Sequence, residues 1–212
     1  MQKNTTVLVI LAGGKSSRMG SPKGLLDYFG DYWILEQIQR FKKVDNPVVY
    51  IGLGYDYTLY FEAIPWLKEA LETNYIFNGV GVRVVLNKQP ELGAFSTLQT
   101  VLKKVNTTSD VLVLPIDVPL LNTKELQVLI DTKNSVVIPQ TTKKGHPVKL
   151  SASVWNELLH IDCSSQEARL DSQIKKLETD SVSLINVIDT AVNQNINTKD
   201  KWVEYKKSAT FQ

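Results

Sequence analysis

The chain has 212 residues, of which 43% are hydrophobic and 22% charged, with a formal net charge of +2. That length suits one domain, taken as residues 1–212, with enough apolar residues to fill a core. The balanced charge excludes a strongly basic face for nucleic acid and an acidic tail, and one cysteine, Cys163, excludes an internal disulfide framework and a four-cysteine zinc site.

In chain order, "TVLVILA" (6–12) reads as a strand, "WILEQIQRFKK" (33–43) as a helix and "PVVYIG" (47–52) as a strand. "YFEAIPWLKEALE" (60–72) has helical spacing, with Pro65 starting or kinking its helix. Strand 82–87, helix 95–105, strand 110–117, helix 123–132 and strand 135–139 follow. The strand runs are nearly continuous in Val, Ile and Leu, as expected for strands buried on both faces. Alternating strands and helices predict an α/β fold: a Rossmann-like three-layer sandwich with a mostly parallel sheet. No repeat, low-complexity tract or linker divides the chain. The N-terminal apolar run is far too short to span a bilayer and does not read as a signal peptide. No membrane partner and a cytoplasmic location are therefore expected.

In such sheets, ligands sit beyond the carboxyl ends of the strands. Two segments fall there. The first, "LAGGKSSRMGSPKGLL" (11–26), follows the first strand with Gly13, Gly14, Arg18, Gly20 and Lys23. Glycines let main-chain N–H groups form an anion-binding nest. Arg18 offers a fork for phosphate oxygens, and Lys23 a point charge. A triphosphate is the natural guest; an ordinary loop with solvated cations is the alternative. A Walker loop is excluded, because no Gly-x-x-x-x-Gly-Lys-Ser/Thr occurs. The dinucleotide fingerprint is excluded too, because the glycines at 13 and 14 are adjacent. "GLG" (52–54) lacks a third glycine and reads as a strand-end turn. The second segment, "VLVLPIDVPLL" (111–121), ends an apolar strand on Asp117 between two prolines. A carboxylate there must be solvated, paired or bound to metal. A helix cap or turn is the plainer role.

The opening loop resembles the N-terminal signature of the MobA-like nucleotidyltransferases, which join a nucleotide to the phosphate of molybdopterin. This resemblance implies a fold like that of nucleotide-diphospho-sugar transferases, with the loop wrapped around an NTP. Main chain at Leu11, Ala12, Gly13 and Gly14 would meet the nucleotide, while Arg18 and Lys23 would meet its phosphates. "NKQPELGAFSTLQTVL" (87–102) is similar to the family's Asn-x-x-x-x-x-Gly-x-x-x-Ser-Leu stretch. It adds Asn87, Gly93 and Ser96 to the nucleotide side, with Gly93 and Ser96 opening a helix whose N–H groups face the site. Ser96 acting simply as a helix cap is the alternative. "PIDVPL" resembles the family's metal-holding Pro-x-Asp-x-Pro-Leu, which gives Asp117 to Mg²⁺. "NQNINTKDKW" (193–202) resembles the late Asn-x-Asn-Thr-Pro-Glu-Asp segment, with Lys199 in place of the usual Pro. Asn197 is thus either a second metal ligand or the N-cap of the following helix. "KKGHPVKLS" (143–151) is similar to a Gly-His-Pro segment of cytidylyl-transferring relatives. It makes His146 a candidate for lining the acceptor pocket. Arg169 could meet an anionic acceptor or lie on a solvated helix face.

The chemistry implied is attack by an acceptor phosphate or hydroxyl on the α-phosphorus of an NTP, with pyrophosphate leaving; an anionic phosphate acceptor would need no general base. The catalytic set is Arg18, Lys23 and Asp117. The resemblance suggests GTP or CTP as donor and molybdopterin as the phosphorylated acceptor. It also suggests transient contact with enzymes of the cofactor pathway. "LAGG" and "NINT" lean to GTP, "GHPV" to CTP. "GLGYDY" lacks the Asn of guanylyl-transferring members, and "DYFGDYWILEQ" (27–37) replaces their usual Gly-x-x-x-Leu run. A sugar- or polyol-phosphate acceptor and a non-catalytic nucleotide-binding protein are the competing readings.

Overall fold

A computed structural model of the chain describes residues 5–209. In chain order the elements are β1 (Thr6–Ala12), the hairpin strands β2 (Asp27–Tyr28) and β3 (Asp31–Tyr32), α1 (Trp33–Phe41), β4 (Val48–Leu53), α2 (Tyr57–Ala63), α3 (Trp66–Glu69), β5 (Tyr75–Phe77) and β6 (Val80–Leu86). Next come α4 (Gly93–Leu102), β7 (Asp110–Pro115), α5 (Thr123–Asp131), β8 (Val136–Gln140), β9 (Val148–Leu150), α6 (Ala152–Leu158), α7 (Leu170–Ile174), β10 (Val182–Asn186) and α8 (Lys199–Ala209).

Eight strands form one sheet in the order β10-β8-β9-β7-β1-β4-β6-β5. β7, β1, β4 and β6 are mutually parallel, as are β8 and β10, while β9 and β5 pair antiparallel to their neighbours. The expected α/β fold with a mostly parallel sheet is what the chain adopts. Side chains of β1 alternate between the two faces. Leu8, Ile10 and Ala12 join one core layer, and Val7 and Val9 join the other. The first layer also takes Ile34 and Ile38 of α1, Leu126 of α5 and Trp202 of α8. The second takes Leu98 and Val101 of α4 and Trp155 of α6. Burial on both faces explains why the strands read as continuous apolar runs.

The helix expected over 60–72 is two helices, because Pro65 removes a backbone donor and starts α3 instead of continuing α2. The strand expected to reach Asp117 stops at Pro115, so the carboxylate lies in the loop beyond. Among the described residues, no helix is long and apolar enough to cross a membrane.

The topology fixes where a site can form. From β1 the chain steps outward to β4 and β6, then crosses back to place β7 on the other side of β1. The strand order therefore reverses between β1 and β7, the position at which open α/β sheets bind ligands. The Gly-rich loop leaves β1 there, and the Asp117 loop leaves β7.

Candidate nucleotide and metal site

The loop after β1 is held by its own apolar residues. Met19 and Pro22 are buried, and Met19 N donates to Ser16 O at 2.8 Å. Ser16 and Gly20 adopt positive φ, 52° and 73°. Ser16 Oγ accepts from Lys23 N at 3.2 Å, which closes the loop onto a short 3₁₀ turn at Lys23–Leu25. The exposed parts are Gly14, Lys15, Ser17, Arg18, Gly20 and Ser21. Arg18 makes no hydrogen bond or ion pair among the described residues, so its guanidinium is available to an anion. Lys15 Nζ lies 4.9 Å from the centre of the Tyr55 ring, a cation–π contact.

Gly13 is wedged between α4 and the end of β4. A Cβ there would stand 2.8 Å from Thr97 Oγ1. The "GLG" turn is the other half of this packing. A Cβ on Gly54 would meet Gly13 O at 2.7 Å and Pro90 Cβ at 2.8 Å, and Tyr55 N donates to Gly13 O at 3.1 Å. Gly54→Ala must therefore displace backbone. It is expected to cost about 1–3 kcal/mol of stability and to weaken nucleotide binding. Gly14→Ala, with nothing within 4 Å of its Cβ, should leave thermal stability unchanged. Melting curves with and without GTP check both.

The electrostatic centre is Lys23. Its ammonium donates to Asp117 Oδ2 at 3.0 Å and to Asn197 Oδ1 at 2.5 Å. The side chains of Lys23 and Asp117 are only 16% and 19% exposed, so this pair is partly desolvated. Main chain secures the geometry: Ile196 N donates to Asp117 O at 2.8 Å, stapling the Asn197 segment to the β7 loop. The cap of α8 is Thr198, whose Oγ1 accepts from Lys201 N at 3.4 Å. Of the two roles open to Asn197, helix capping thus falls to its neighbour, and its own amide oxygen faces the site.

Two hard oxygens aimed at one cation suit a small divalent ion, which takes one or two protein ligands and completes its shell with water and substrate phosphate. Among the described residues, no cluster of three or more His, Cys, Asp or Glu could hold a metal alone. The donor set thus fits an ion shared with substrate.

One cavity opens onto this centre and a second adjoins it. One, about 240 Å³, is lined by Leu11, Gly14, Lys23, Gly93, Thr97 and Asp117, among others. The second, about 450 Å³, shares Leu11, Gly93, Ala94 and Pro115 with it and extends to His146 and Arg169. The shared residues place the two cavities side by side at the carboxyl ends of β1 and β7.

Residues 8–180 match the MobA-like NTP transferase domain. The chain belongs to that family. A Flavobacterium johnsoniae protein named "Probable molybdenum cofactor guanylyltransferase" is 29% identical over 209 residues, covering 91% of this chain and 98% of that one. Among solved structures, a nucleotidyl transferase from Methanothermobacter thermautotroptrophicus superposes with a TM-score of 0.73 at 18% identity, covering 98% of this chain and 99% of that one. A Mycobacterium tuberculosis protein crystallised with manganese gives 0.66 at 19% identity, covering 97% and 99%. These neighbours share the fold, and the family makes the chain a MobA-like nucleotidyltransferase.

Within this MobA-like frame, the structure brings Leu11, Gly13, Gly14, Lys23, Gly93 and Asp117 together around the smaller cavity. Ala12 is buried in the core, so only its main chain can contribute. Asn87 and Ser96 stand apart from the cavity wall. Asn87 Nδ2 donates to Ser96 Oγ at 2.8 Å and to Thr97 Oγ1 at 3.0 Å, and Ser96 Oγ donates to Gly93 O at 2.8 Å. Both are buried and act as ties within the turn that carries Gly93. Ser96 is not a cap, since Leu92 precedes α4 and no side chain caps it. Besides Pro90, Gly93 and Ala94, the polar side chain of this stretch that reaches the cavity is Thr97. The motif's own spacing marks it: the fourth position after Gly93 is Thr97, followed by Leu98.

His146 lies on the wall of the larger cavity, and its Nδ1 is buried without a partner among the described residues. Burial lowers its pKa, against the opposing pull of the Val113 main chain and the Asp117 charge. The imidazole is therefore neutral at pH 7, with one nitrogen free for a ligand. Arg169 precedes α7 at the same cavity, but its Nε donates to Asp171 Oδ1 at 3.1 Å. Both side chains are more than half exposed, so the pair is weak and can exchange for another anion.

Proposed function

We propose that this chain moves a nucleoside monophosphate from GTP to a phosphorylated acceptor, molybdopterin, with release of pyrophosphate. The observation that carries this reading is the convergence of Asp117 and Asn197 oxygens on one cation position beside the Gly-rich loop. GTP is preferred to CTP because the Flavobacterium relative is named a guanylyltransferase. Asp117 and Asn197 would hold Mg²⁺ or Mn²⁺, which supplies Lewis-acid withdrawal of charge from a phosphate oxygen.

The protein's own part is alignment and charge. Main chain at Gly13 and Gly14 admits the nucleotide without side-chain obstruction. Arg18 and Lys23 offset the charge gathering on the leaving pyrophosphate. Phosphoryl-type transfers are catalysed mainly by such positioning and electrostatics. The larger cavity, with His146 and Arg169 on its wall, would take the acceptor so that its phosphate approaches from the side opposite the leaving group. An anionic phosphate nucleophile needs no general base. This agrees with the neutral His146, which serves the acceptor as a hydrogen-bonding group.

The test is a panel of GTP, CTP, ATP and UTP with Mg²⁺, read by thermal shift and then by pyrophosphate release with molybdopterin. GTP at a hundred times its dissociation constant should add about 2.7 kcal/mol of stability. Release with a sugar or polyol phosphate alone would reassign the acceptor. Binding without release under any acceptor would make the chain a nucleotide-binding protein.

A further inference from the structure

The two oxygen donors of the site come from segments far apart in sequence, and one helix touches both. Trp33, Gln37 and Arg40 follow the spacing i, i+4, i+7 and so share a face of α1. That face is laced to the loop carrying Asp117. Trp33 Nε1 donates to Ile116 O at 2.8 Å, on one side of Asp117. Gln37 Nε2 donates to Val118 O at 2.7 Å, on the other side. Gln37 Oε1 also accepts from Leu120 N at 3.0 Å, so both ends of a fully buried amide are spent on this loop.

The same tryptophan reaches the second donor's segment. Its ring meets Trp202 and Tyr205 of α8 edge-on, with centroids 5.3 and 5.4 Å apart. α8 begins at Lys199, two residues after Asn197. Tyr28 from the hairpin packs on Trp33 at 5.1 Å and on Trp202 at 6.0 Å, which completes an aromatic block under the site. Tyr28 and Trp33 of this block come from "DYFGDYWILEQ" (27–37), and Trp202 and Tyr205 from α8.

We propose that Trp33 and Gln37 are positioning residues that fix the separation of the Asp117 and Asn197 oxygens and thereby set the site's affinity for a divalent cation. The proposal rests on the reading of that site as a metal and nucleotide centre. Outer partners that orient metal ligands typically change metal affinity by about 10–100-fold when removed.

A purely structural role is the competing account, and the fold contains its own control. Trp155 is also fully buried and also donates an indole N–H to a main-chain carbonyl, Ser109 O at 2.8 Å. That contact lies at the opposite end of β7, beside Asp110. Trp33→Phe, Gln37→Met and Trp155→Phe are compared by thermal denaturation and by calorimetric titration of Mn²⁺ in the presence of GTP. All three are expected to melt a few degrees lower than the unaltered chain. Only Trp33→Phe and Gln37→Met should weaken Mn²⁺ binding, by about tenfold, with GTP affinity in the absence of metal changed less than twofold.

Equal Mn²⁺ affinity in all three variants and the unaltered chain would overturn the proposal while leaving the nucleotide site intact. Equal weakening in Trp155→Phe would overturn it as well, since the effect would then follow stability alone. Should the unaltered chain bind neither Mn²⁺ nor GTP, the reading of the site falls and this proposal with it. If Trp33→Phe does not fold, Gln37→Met against Trp155→Phe decides the matter.

Discussion

Asp117→Ala is expected to lower the rate of pyrophosphate release by about 10²–10³ and to abolish its dependence on Mg²⁺ or Mn²⁺, with the fold unchanged. The carboxylate lies beyond β7, and its side chain contacts Lys23 rather than the core. The structural work of residue 117 is done by its carbonyl, which accepts from Ile196 N at 2.8 Å and survives the substitution. Losing the carboxylate removes the only full negative charge in the donor pair, because Asn197 is neutral. An amide oxygen alone is a weak ligand for a small divalent ion. Asp117→Asn keeps the shape and tests charge by itself; it should behave almost like Asp117→Ala. The check is initial rate against metal concentration at saturating GTP, with melting curves run in parallel. Normal transfer by Asp117→Ala would remove that residue from the metal site.

The fold was legible because burial on both faces leaves an unambiguous mark. Val7 to Ile10 and Val111 to Leu114 are apolar at every position, and each alternates between two core layers. Boundaries were less legible. Nothing in "VLVLPID" says that pairing stops at Pro115, because strand termination is decided by the partner strand; β1 pairs Leu11 with Pro115, and its last residue, Ala12, pairs with Leu53 of β4 instead. The short antiparallel strands β5 and β9 carry little sequence signal, since each has three residues and depends on its neighbour for pairing.

At the site, glycine, lysine and aspartate were readable because their chemistry is unusual where they stand. Thr97 was legible only through the spacing from Gly93, which the adjacent Ser96 obscured; its role shows once Gly13 is packed against it. Trp33 and Gln37 were not legible, because their partners are main-chain carbonyls 81 or more positions away that no local pattern reveals.

Lys23→Met should change metal and nucleotide binding in opposite directions. Without nucleotide, the Lys23 ammonium occupies the point where the Asp117 and Asn197 oxygens converge, at 3.0 and 2.5 Å. A divalent ion approaching that point must displace a tethered cation or suffer its repulsion. Two positive charges a few ångströms apart in a partly desolvated cleft repel by several kcal/mol before screening, of order 4 kcal/mol at 4 Å and an effective dielectric of 20. Methionine keeps the length and flexibility of the side chain but neither the charge nor the donor. Mn²⁺ affinity in the absence of nucleotide should therefore rise, by about tenfold after allowance for solvent screening. Nucleotide affinity should fall, and transfer should drop by about 10²–10³, because the charge that Lys23 delivers to the phosphates is lost. The measurement is a pair of calorimetric titrations, Mn²⁺ alone and GTP alone, on each protein. A variant that binds Mn²⁺ no better than the unaltered chain would mean that the ammonium does not compete for the ion's position. A variant that binds GTP equally well would mean that Lys23 never leaves Asp117 for the phosphates. The coupling also orders binding: nucleotide that draws Lys23 onto its phosphates vacates the two oxygens, so triphosphate and metal should each tighten the other's binding, by the same factor.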